Sequence, residues 1–397
     1  MRETRPRPQP GADPRSTRER LENGPVALHA GRVGNRGPRE DAAQGGPRPP
    51  RAAGGGGNGR SELEPTRRDG GRSGSPAVKA LVAGGVAGGL ATGLWALARA
   101  GRGLPPVHRS LPVEGRLYRW RGHRVIFYRR GEGPPVVLVH AIHAAASARE
   151  MREPFERLAA DHTVFAFDLL GFGASDRPPL RYTAALYVDL LADFLREVVA
   201  EPAVVVASSL SAAHALAAAR RTPGQVRALV LVNPTGMATL ADGRGPAGRL
   251  VERLFRSPVV GEALFHGLVS RPSLRHYGHK TYGDRRLVDR SLISAQYRTS
   301  HQRGAHWAPA AFLGGALDRN VERDLAALTV PALVVWTPCH GFQDTEAESR
   351  AYASVNPHLE SRVILGSGAL PHDEEPEEFE ALVREWLARV EDESRNG

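Results

Sequence analysis

From Leu104 onward, short apolar runs alternate with longer stretches whose apolar residues recur at helical spacing. Apolar runs bounded by Gly, Pro or Asn predict buried strands, and apolar residues three and four apart predict helices. The predicted strands are 115–121, 124–130, 136–140, 163–168, 204–206, 228–233, 332–336 and 362–365, and the predicted helices are 147–160, 183–200, 212–221 and 376–391. This alternation predicts an α/β fold with a mostly parallel sheet flanked by helices.

The middle of the chain loses this alternation. After Pro234 and Gly236, residues up to about Arg319 have a mostly helical pattern with scattered histidines and arginines. We therefore expect an insertion between two strands, placed where a lid would sit. The predicted organisation is a core in two parts, 104–234 and 320–392, with a helical cap at 235–319.

The first 76 residues have a different composition. They are rich in Arg, Pro and Gly, and residues 54–57 are four consecutive glycines. Few of these residues could enter a core, so we expect 1–76 to be disordered. An interaction arm and a gene start placed too far upstream are both compatible with this composition.

An apolar segment follows within 77–100. Ala80 to Ala98 carry no charge and are bracketed by Lys79 and Arg99. The length is close to the roughly 20 residues that span a bilayer, and paired glycines at 84–85 and 88–89 suit close helix packing in lipid. Because Ala and Gly are weakly hydrophobic, a membrane anchor and a merely amphipathic or signal-like helix remain alternatives. The expected location is cytoplasmic, or membrane-associated through this segment.

The composition limits which partners and cofactors are expected. The net charge is +10 and the basic residues are almost all arginine. Much of the positive excess lies in the low-complexity tail, which has no interleaved aromatic residues. We therefore expect no nucleic-acid partner. A single cysteine, Cys339, excludes an intramolecular disulfide framework and a cysteine-based zinc site. The histidines of the middle region match no metal-ligand spacing, and the glycine-rich stretches match no nucleotide fingerprint, so neither metal nor cofactor is expected.

The stretch around Ser209 is the strongest candidate for chemistry. The valine run 204–206 ends at small residues and serines, and an alanine-rich helical run, 212–221, follows at once. A strand, sharp turn and helix with serine at the turn is the geometry of a nucleophile elbow. The alternative is that Ser208, Ser209 or Ser211 is simply a helix N-cap.

Three further segments, taken with this turn, resemble the α/β-hydrolase family in its cap-containing subgroup. Residues 136–141 are similar to the strand ending in His-Gly that supplies part of the oxyanion hole. Residues 167–178 resemble the Asp-x-x-Gly-x-Gly-x-Ser-Asp-x-Pro loop, and 368–376 resemble the terminal Gly-His-x-Pro-His-x-Glu-x-Pro segment. The resemblance covers 117–390 and implies the family's fold.

The resemblance also implies roles for individual residues. Ser209 takes the place of the nucleophile. The backbone N–H of Leu210 and those of Ala141 or Ile142 take the place of the oxyanion donors. Ala141 replaces the usual glycine.

Two positions of the family's triad are substituted. Ala369 stands where the catalytic histidine is expected, and His340 stands where the acid is expected after the seventh strand. A rebuilt triad would use His340 as the base, or His372, oriented by Asp344 or Asp373. A different chemistry would use His140 or His143, with Ser209 only as a hydrogen-bond donor.

Two functions follow as expectations. The first is a serine hydrolase acting on an ester, thioester or amide of a small apolar substrate, which sits under the cap. The second is a catalytically inactive relative that keeps the pocket as a ligand-binding or scaffolding protein. Activation of Ser209 distinguishes them, because hydrolysis needs a base that removes its proton.

Overall fold

The computed structural model describes residues 103–237, 245–257, 260–338 and 343–396, together with 92, 93 and 96. The predicted tail 1–76, nearly all of the apolar segment 80–98, and both Cys339 and His340 lie outside the described residues. Of the apolar segment, Thr92, Gly93 and Ala96 are helical and exposed. Within the described ranges, no helix combines the length and the apolar character that a bilayer crossing requires.

The described residues form one eight-stranded sheet in the order β1-β2-β4-β3-β5-β6-β7-β8. Strands β1 and β2 pair antiparallel, β2 pairs antiparallel with β4, and every later neighbour is parallel. The strands are β1 Arg116–Trp120, β2 His123–Arg130, β3 Pro135–Val139, β4 Thr163–Phe167, β5 Ala203–Ser208, β6 Val226–Val232, β7 Ala332–Trp336 and β8 Glu360–Val363. The predicted mostly parallel α/β sheet is confirmed.

The core has two apolar layers because successive side chains of a strand point to opposite faces. In β3 and β5, Val137 and Val205 pack on one face, and Leu138 and Val206 pack on the other. Both faces are covered, so the central strands are buried along their whole length. This is the burial expected of parallel strands and explains their near-continuous valine runs.

The helices divide between the sheet faces and the middle region. Helices α2 and α3 contribute to the first apolar layer, and α1 and α12 to the second. Six α-helices, α4 to α9, lie between β6 and β7 in the described ranges. The bounds are α1 Arg152–Leu158, α2 Ala184–Phe194, α3 Leu210–Arg221, α4 Pro246–Phe255, α5 Val260–Leu268, α6 Arg271–Thr281, α7 Arg290–Ser300, α8 Trp307–Leu313, α9 Glu322–Ala326, α10 Thr345–Val355, α11 Pro371–Glu374 and α12 Pro376–Asn396.

The register of the parallel strands aligns their carboxyl ends. Val139 lies opposite Ala207, Ser208 opposite Val232, and Val232 opposite Val335. The residues that follow these strands therefore meet along one edge of the sheet. In open α/β sheets, ligands bind outside this edge.

The loop after β4 is held by one buried carboxylate. Asp168 accepts hydrogen bonds from the hydroxyls of Ser110 and Tyr128 and from the backbone N–H groups of Ala148 and Ala174, at 2.8 to 2.9 Å. Gly173 approaches so closely that an added Cβ would lie 1.9 Å from the carboxylate. Asp168 therefore fixes the loops beside the β3 and β4 ends.

Candidate active site

Ser209 stands between β5 and α3 in a strained backbone conformation. Its φ is 56° and its ψ is −126°, where an L-residue with a side chain rarely lies. Its N–H donates to the carbonyl of Val232 at 2.8 Å, which fixes the turn to the neighbouring strand. Its Oγ has no hydrogen-bond partner among the described residues and does not cap α3. A capping serine normally has extended backbone and uses its oxygen on the helix, so the N-cap alternative does not describe Ser209.

The start of α3 is tied to the end of β3. The Ser211 hydroxyl donates to the carbonyl of His140 at 2.6 Å. Leu210, the first residue of α3, and Ile142, in the loop after β3, are both buried, and neither N–H has a hydrogen-bond partner among the described residues. Free N–H groups at a helix N-terminus favour an anionic oxygen.

The third predicted oxyanion donor has a partner within the protein. The Ala141 N–H donates to Oε2 of Glu150 at 3.2 Å. Of the three predicted N–H groups, those of Ile142 and Leu210 are therefore unoccupied, and that of Ala141 holds the loop to the buried Glu150.

Glu150 also binds His143, whose Nε2 lies 2.5 Å from its Oε1. Burial raises the pKa of Glu150, but the attraction of His143 and the hydrogen bond from its ring outweigh burial, so the pKa lies below its usual value. His143 is half-buried and its Nε2 is directed to Glu150. The pair therefore anchors the loop after β3 and leaves that nitrogen without a free lone pair for Ser209.

His140 has a structural role in this loop. Its Nε2 accepts the N–H of Leu169 at 3.2 Å, and its Nδ1 lies 2.6 Å from the carbonyl of Ala141. Burial lowers the pKa of its imidazole. With both nitrogens engaged, His140 joins the loops that follow β3 and β4.

Ala369, which the sequence predicts at the position of the family's histidine, is held on two sides. Its N–H donates to the carbonyl of Thr281 at 2.6 Å, and its carbonyl accepts from the amide of Asn233 at 3.1 Å. Glu374 holds the same loop to the residues after α6 by accepting from the N–H groups of Gly368 and Gly283. The backbone around position 369 is therefore fixed, although the residue at that position is alanine and has no imidazole.

The loop expected to carry the acid is anchored on both flanks at the end of β6. Thr337 donates its N–H to Oδ1 of Asn233 at 3.0 Å, and the Gln343 amide donates to the carbonyl of Pro234 at 2.7 Å. His340 falls in the stretch 339–342, outside the described residues. Asp344 accepts the N–H of Ala347 at 2.9 Å, so one of its carboxylate oxygens caps α10.

His372 is buried against Phe379, with 5.8 Å between the ring centroids. Neither ring nitrogen has a hydrogen-bond partner among the described residues, and burial lowers the pKa of the imidazole to about 4. The adjacent Asp373 accepts from the Tyr282 hydroxyl at 2.8 Å and pairs with Arg152. The structure brings neither His372 nor Asp373 into contact with Ser209.

Two residues of the site were absent from the sequence-based candidates. Asn233 directly follows β6, and a polar residue ending an apolar strand was an available signal. Glu150 lies between Arg149 and Met151 in a charged stretch, where a buried carboxylate has no distinct signal.

Several histidines of the middle region pack against other rings. His301 lies 3.8 Å from Tyr297 and 4.5 Å from His266 between ring centroids, and His306 lies 4.2 Å from Trp307. Burial lowers the pKa of both His301 and His306 to about 4. Within the described part of the chain, no three potential ligand side chains gather as a metal site would require.

Comparison with known proteins identifies the family to which the chain is similar. A family model described as the alpha/beta hydrolase family matches residues 136–382. An uncharacterised protein of Mycobacterium tuberculosis is 25% identical over 301 residues, which cover 73% of this chain and 86% of that protein. The 2-hydroxymuconate semialdehyde hydrolase of Pseudomonas putida is 26% identical over 289 residues, covering 70% and 96% of the two chains.

Solved structures share the fold. A meta-cleavage product hydrolase from Pseudomonas fluorescens superposes with a TM-score of 0.57 at 22% identity, covering 70% of this chain and 98% of that one. A thermophilic esterase from Thermogutta terrifontis gives a TM-score of 0.57 at 23% identity, covering 70% and 99%. At these identities the likeness is one of fold.

Proposed function

The chain belongs to the alpha/beta hydrolase family, and from this premise we propose that it is a serine hydrolase with Ser209 as nucleophile. The observation that carries the proposal is the backbone of Ser209, which has a positive φ of 56° while its Oγ makes no hydrogen bond to any residue that the structure describes. Such a conformation costs about 1–3 kcal/mol and persists where function uses it. A serine that only began a helix would have no need of it.

In the proposed reaction, Oγ of Ser209 attacks the carbonyl carbon of an ester, thioester or amide and loses its proton to a base. The carbonyl oxygen becomes an oxyanion that accepts hydrogen bonds from the N–H groups of Ile142 and Leu210. The base returns the proton to the leaving alcohol, thiol or amine. Water then cleaves the acyl-serine in the same way and restores the hydroxyl.

We assign the base to His340, partly by elimination. His140 and His143 are engaged with other groups. His372 is buried and makes no hydrogen bond to Ser209, and Ala369 has no imidazole. Adjacent strands lie about 4.8 Å apart, so the end of β7 is about 10 Å from that of β5. Three residues of chain and an imidazole can cover that distance.

The anchors of the loop favour the same assignment. Thr337 and Gln343 hold the two flanks of the stretch 339–342 to residues that directly follow β6. Strand β6 is also the strand to which the Ser209 N–H is bonded. Asp344, one residue beyond Gln343, retains one carboxylate oxygen that could orient the imidazole.

For the substrate, we propose an ester of a small apolar acid or alcohol. Ala144 and Ala145, in the loop after β3, pack with Phe265, Leu292 and Ala369 in one apolar cluster. The wall beside the oxyanion loop is therefore apolar. Because an esterase is among the proteins of similar fold, such esters are the first substrates to assay.

The test is hydrolysis of 4-nitrophenyl acetate, butyrate and octanoate by four proteins. These are the wild type, Ser209→Ala, His340→Gln and, as a matched control, Ser208→Ala, since Ser208 is the adjacent serine and its Oγ is buried without a partner. The proposal predicts turnover by the wild type and Ser208→Ala, and a loss of at least 100-fold in the other two. Equal activity of wild type and Ser209→Ala would refute it, and loss only in Ser209→Ala would remove His340 as base.

A second function is favoured by one observation, the alanine at position 369. A protein without the family's imidazole there could keep the site as a binding pocket for an apolar ligand. A correctly folded wild type that turns over no ester would support that function over hydrolysis.

A further inference from the structure

A basic groove lies between helices α6 and α7, apart from the residues around Ser209. Its volume is about 690 Å³. The α6 side presents Arg271, Arg275, His276 and His279, which are spaced so that they share one face of the helix. The α7 side presents Arg290 and the apolar side chain of Ile293. Two facing helices therefore contribute three guanidinium groups and two imidazoles to one groove.

The positive charge of the groove is not neutralised by the described part of the protein. Arg271, Arg275 and Arg290 are exposed and form no ion pair there. The two nearest acids in sequence are already used, because Asp284 binds Arg286 through both carboxylate oxygens and Asp289 caps α7 at the N–H of Leu292. The groove thus combines three guanidinium groups, and none of the described residues that line it is acidic.

The placement of two arginines adds to this imbalance. Arg271 is the first residue of α6 and Arg290 the first residue of α7. Helix N-termini carry partial positive charge, so a cation at the first position is unfavourable unless an anion is nearby. The Asp289 carboxylate already caps α7, whereas the N-cap of α6 is the uncharged Ser270, so a bound anion would offset this interaction at Arg271.

One guanidinium is already oriented. Arg271 stacks on the ring of Tyr297 on α7, 4.5 Å from its centroid. Stacking restricts the plane of the guanidinium group without using its N–H groups. A planar fork held in this way suits bidentate hydrogen bonding to phosphate.

From these observations, we propose that the groove binds a phosphate group carried by a small molecule or by a lipid headgroup. Its volume is within the range of small-molecule sites, about 300–1,000 Å³. Ile293 and Pro272 supply an apolar surface beside the arginines for the remainder of the ligand. This site does not depend on the reaction proposed for Ser209.

The experiment measures binding to the full chain by two probes. Inorganic pyrophosphate is titrated by calorimetry. Co-sedimentation uses vesicles of phosphatidylcholine alone or with ~30% phosphatidylglycerol, which makes the vesicle surface anionic. The variant is Arg275→Ala/Arg290→Ala. The control is Arg298→Ala/Arg285→Ala, which removes two exposed arginines of the same region that do not line the groove.

The proposal predicts that the groove variant binds at least tenfold more weakly than the control variant, with unchanged circular dichroism. Pyrophosphate binding lost in the groove variant indicates a free phosphate ligand, and loss confined to phosphatidylglycerol vesicles indicates a headgroup. Equal weakening in the two double variants, or no binding of either probe by the wild type, would overturn the proposal.

Discussion

The side-chain amide of Asn233 donates a hydrogen bond of 3.1 Å to the carbonyl oxygen of Ala369. The same side chain accepts the N–H of Thr337 and contacts its hydroxyl at 3.0 Å. Asn233, one residue after β6, therefore ties together the two loops that the sequence predicts at the positions of the family's histidine and acid.

Replacing Asn233 by alanine should lower the free energy of unfolding by about 2–4 kcal/mol. Two buried hydrogen bonds are lost at about 1 kcal/mol each. Asn233 also has a φ of 42°, which asparagine tolerates better than alanine. Urea unfolding measures the change, with Asn320→Ala as control, since Asn320 makes one hydrogen bond in an exposed turn. Similar losses in the two variants would contradict this role.

Ser209→Gly should be more stable than Ser209→Ala, by about 1 kcal/mol. Glycine relieves the strain of the positive φ, which costs about 1–3 kcal/mol. This gain exceeds the free-energy cost of glycine's greater conformational entropy in the unfolded chain, about 0.5–1 kcal/mol. Alanine keeps the strain because it keeps Cβ. Thermal and urea unfolding of the two variants provide the comparison. If alanine were the more stable, the strain assigned to the elbow would be absent.

His372 should make the protein less stable in acid. Burial depresses the pKa of the folded imidazole from 6.5 to about 4, so the unfolded chain takes up its proton first as the pH falls. Stability is then lost between pH 6.5 and 4, by about 3 kcal/mol for one such group. His372→Leu should remove this loss of stability. The loss that His214 contributes should remain, because burial lowers the pKa of His214 to about 4 as well.

At pH 7 the same substitution should change stability by less than about 1 kcal/mol, because it removes two unpartnered nitrogens from the core. Urea unfolding of wild type and His372→Leu from pH 4 to 8 gives both quantities. An unchanged pH profile would show that the imidazole is accessible to protons in the fold. Loss of esterase activity with intact stability would instead assign His372 as the base.

His143→Ala should reverse the contribution of Glu150 to the pH dependence of the free energy of unfolding. In the wild type the folded pKa of Glu150 is depressed, so its stabilisation is present above the unfolded pKa and is lost on acidification. Without His143, burial dominates and raises that pKa, so stability is lost as the pH rises towards 7. Urea unfolding from pH 4 to 7 tests the reversal, and His143→Ala/Glu150→Gln, which lacks the carboxyl, should not show it. Parallel profiles for wild type and His143→Ala would contradict it.

The sheet and the strand–turn–helix around Ser209 could be predicted because their signals are local. The valines before Ser209 and the alanines after it define a strand and a helix without reference to the rest of the chain. Strand bounds differ by a residue or two, as in β6, which was predicted at 228–233 and lies at Val226–Val232. Edge residues belong equally to the strand and to the loop, so the pattern cannot separate them.

Other features depend on contacts between distant residues. Helix α10 was not predicted, because its inward residues include Thr345 and Glu348 and few large apolar side chains. Glu150 has charged neighbours and is buried only because the loop after β3 folds back and places His143 against it. Pairing of that kind is set by tertiary structure and leaves no periodic pattern.

The central claim is that Ser209 is an activated nucleophile. The most direct measurement is mass spectrometry of the full chain after treatment with a fluorophosphonate, which reacts with activated serines. The account predicts one adduct, located by peptide mapping on the peptide that contains Ser209, present in Ser208→Ala and absent in Ser209→Ala. A folded wild type that forms no adduct, or an adduct that persists in Ser209→Ala, would contradict it.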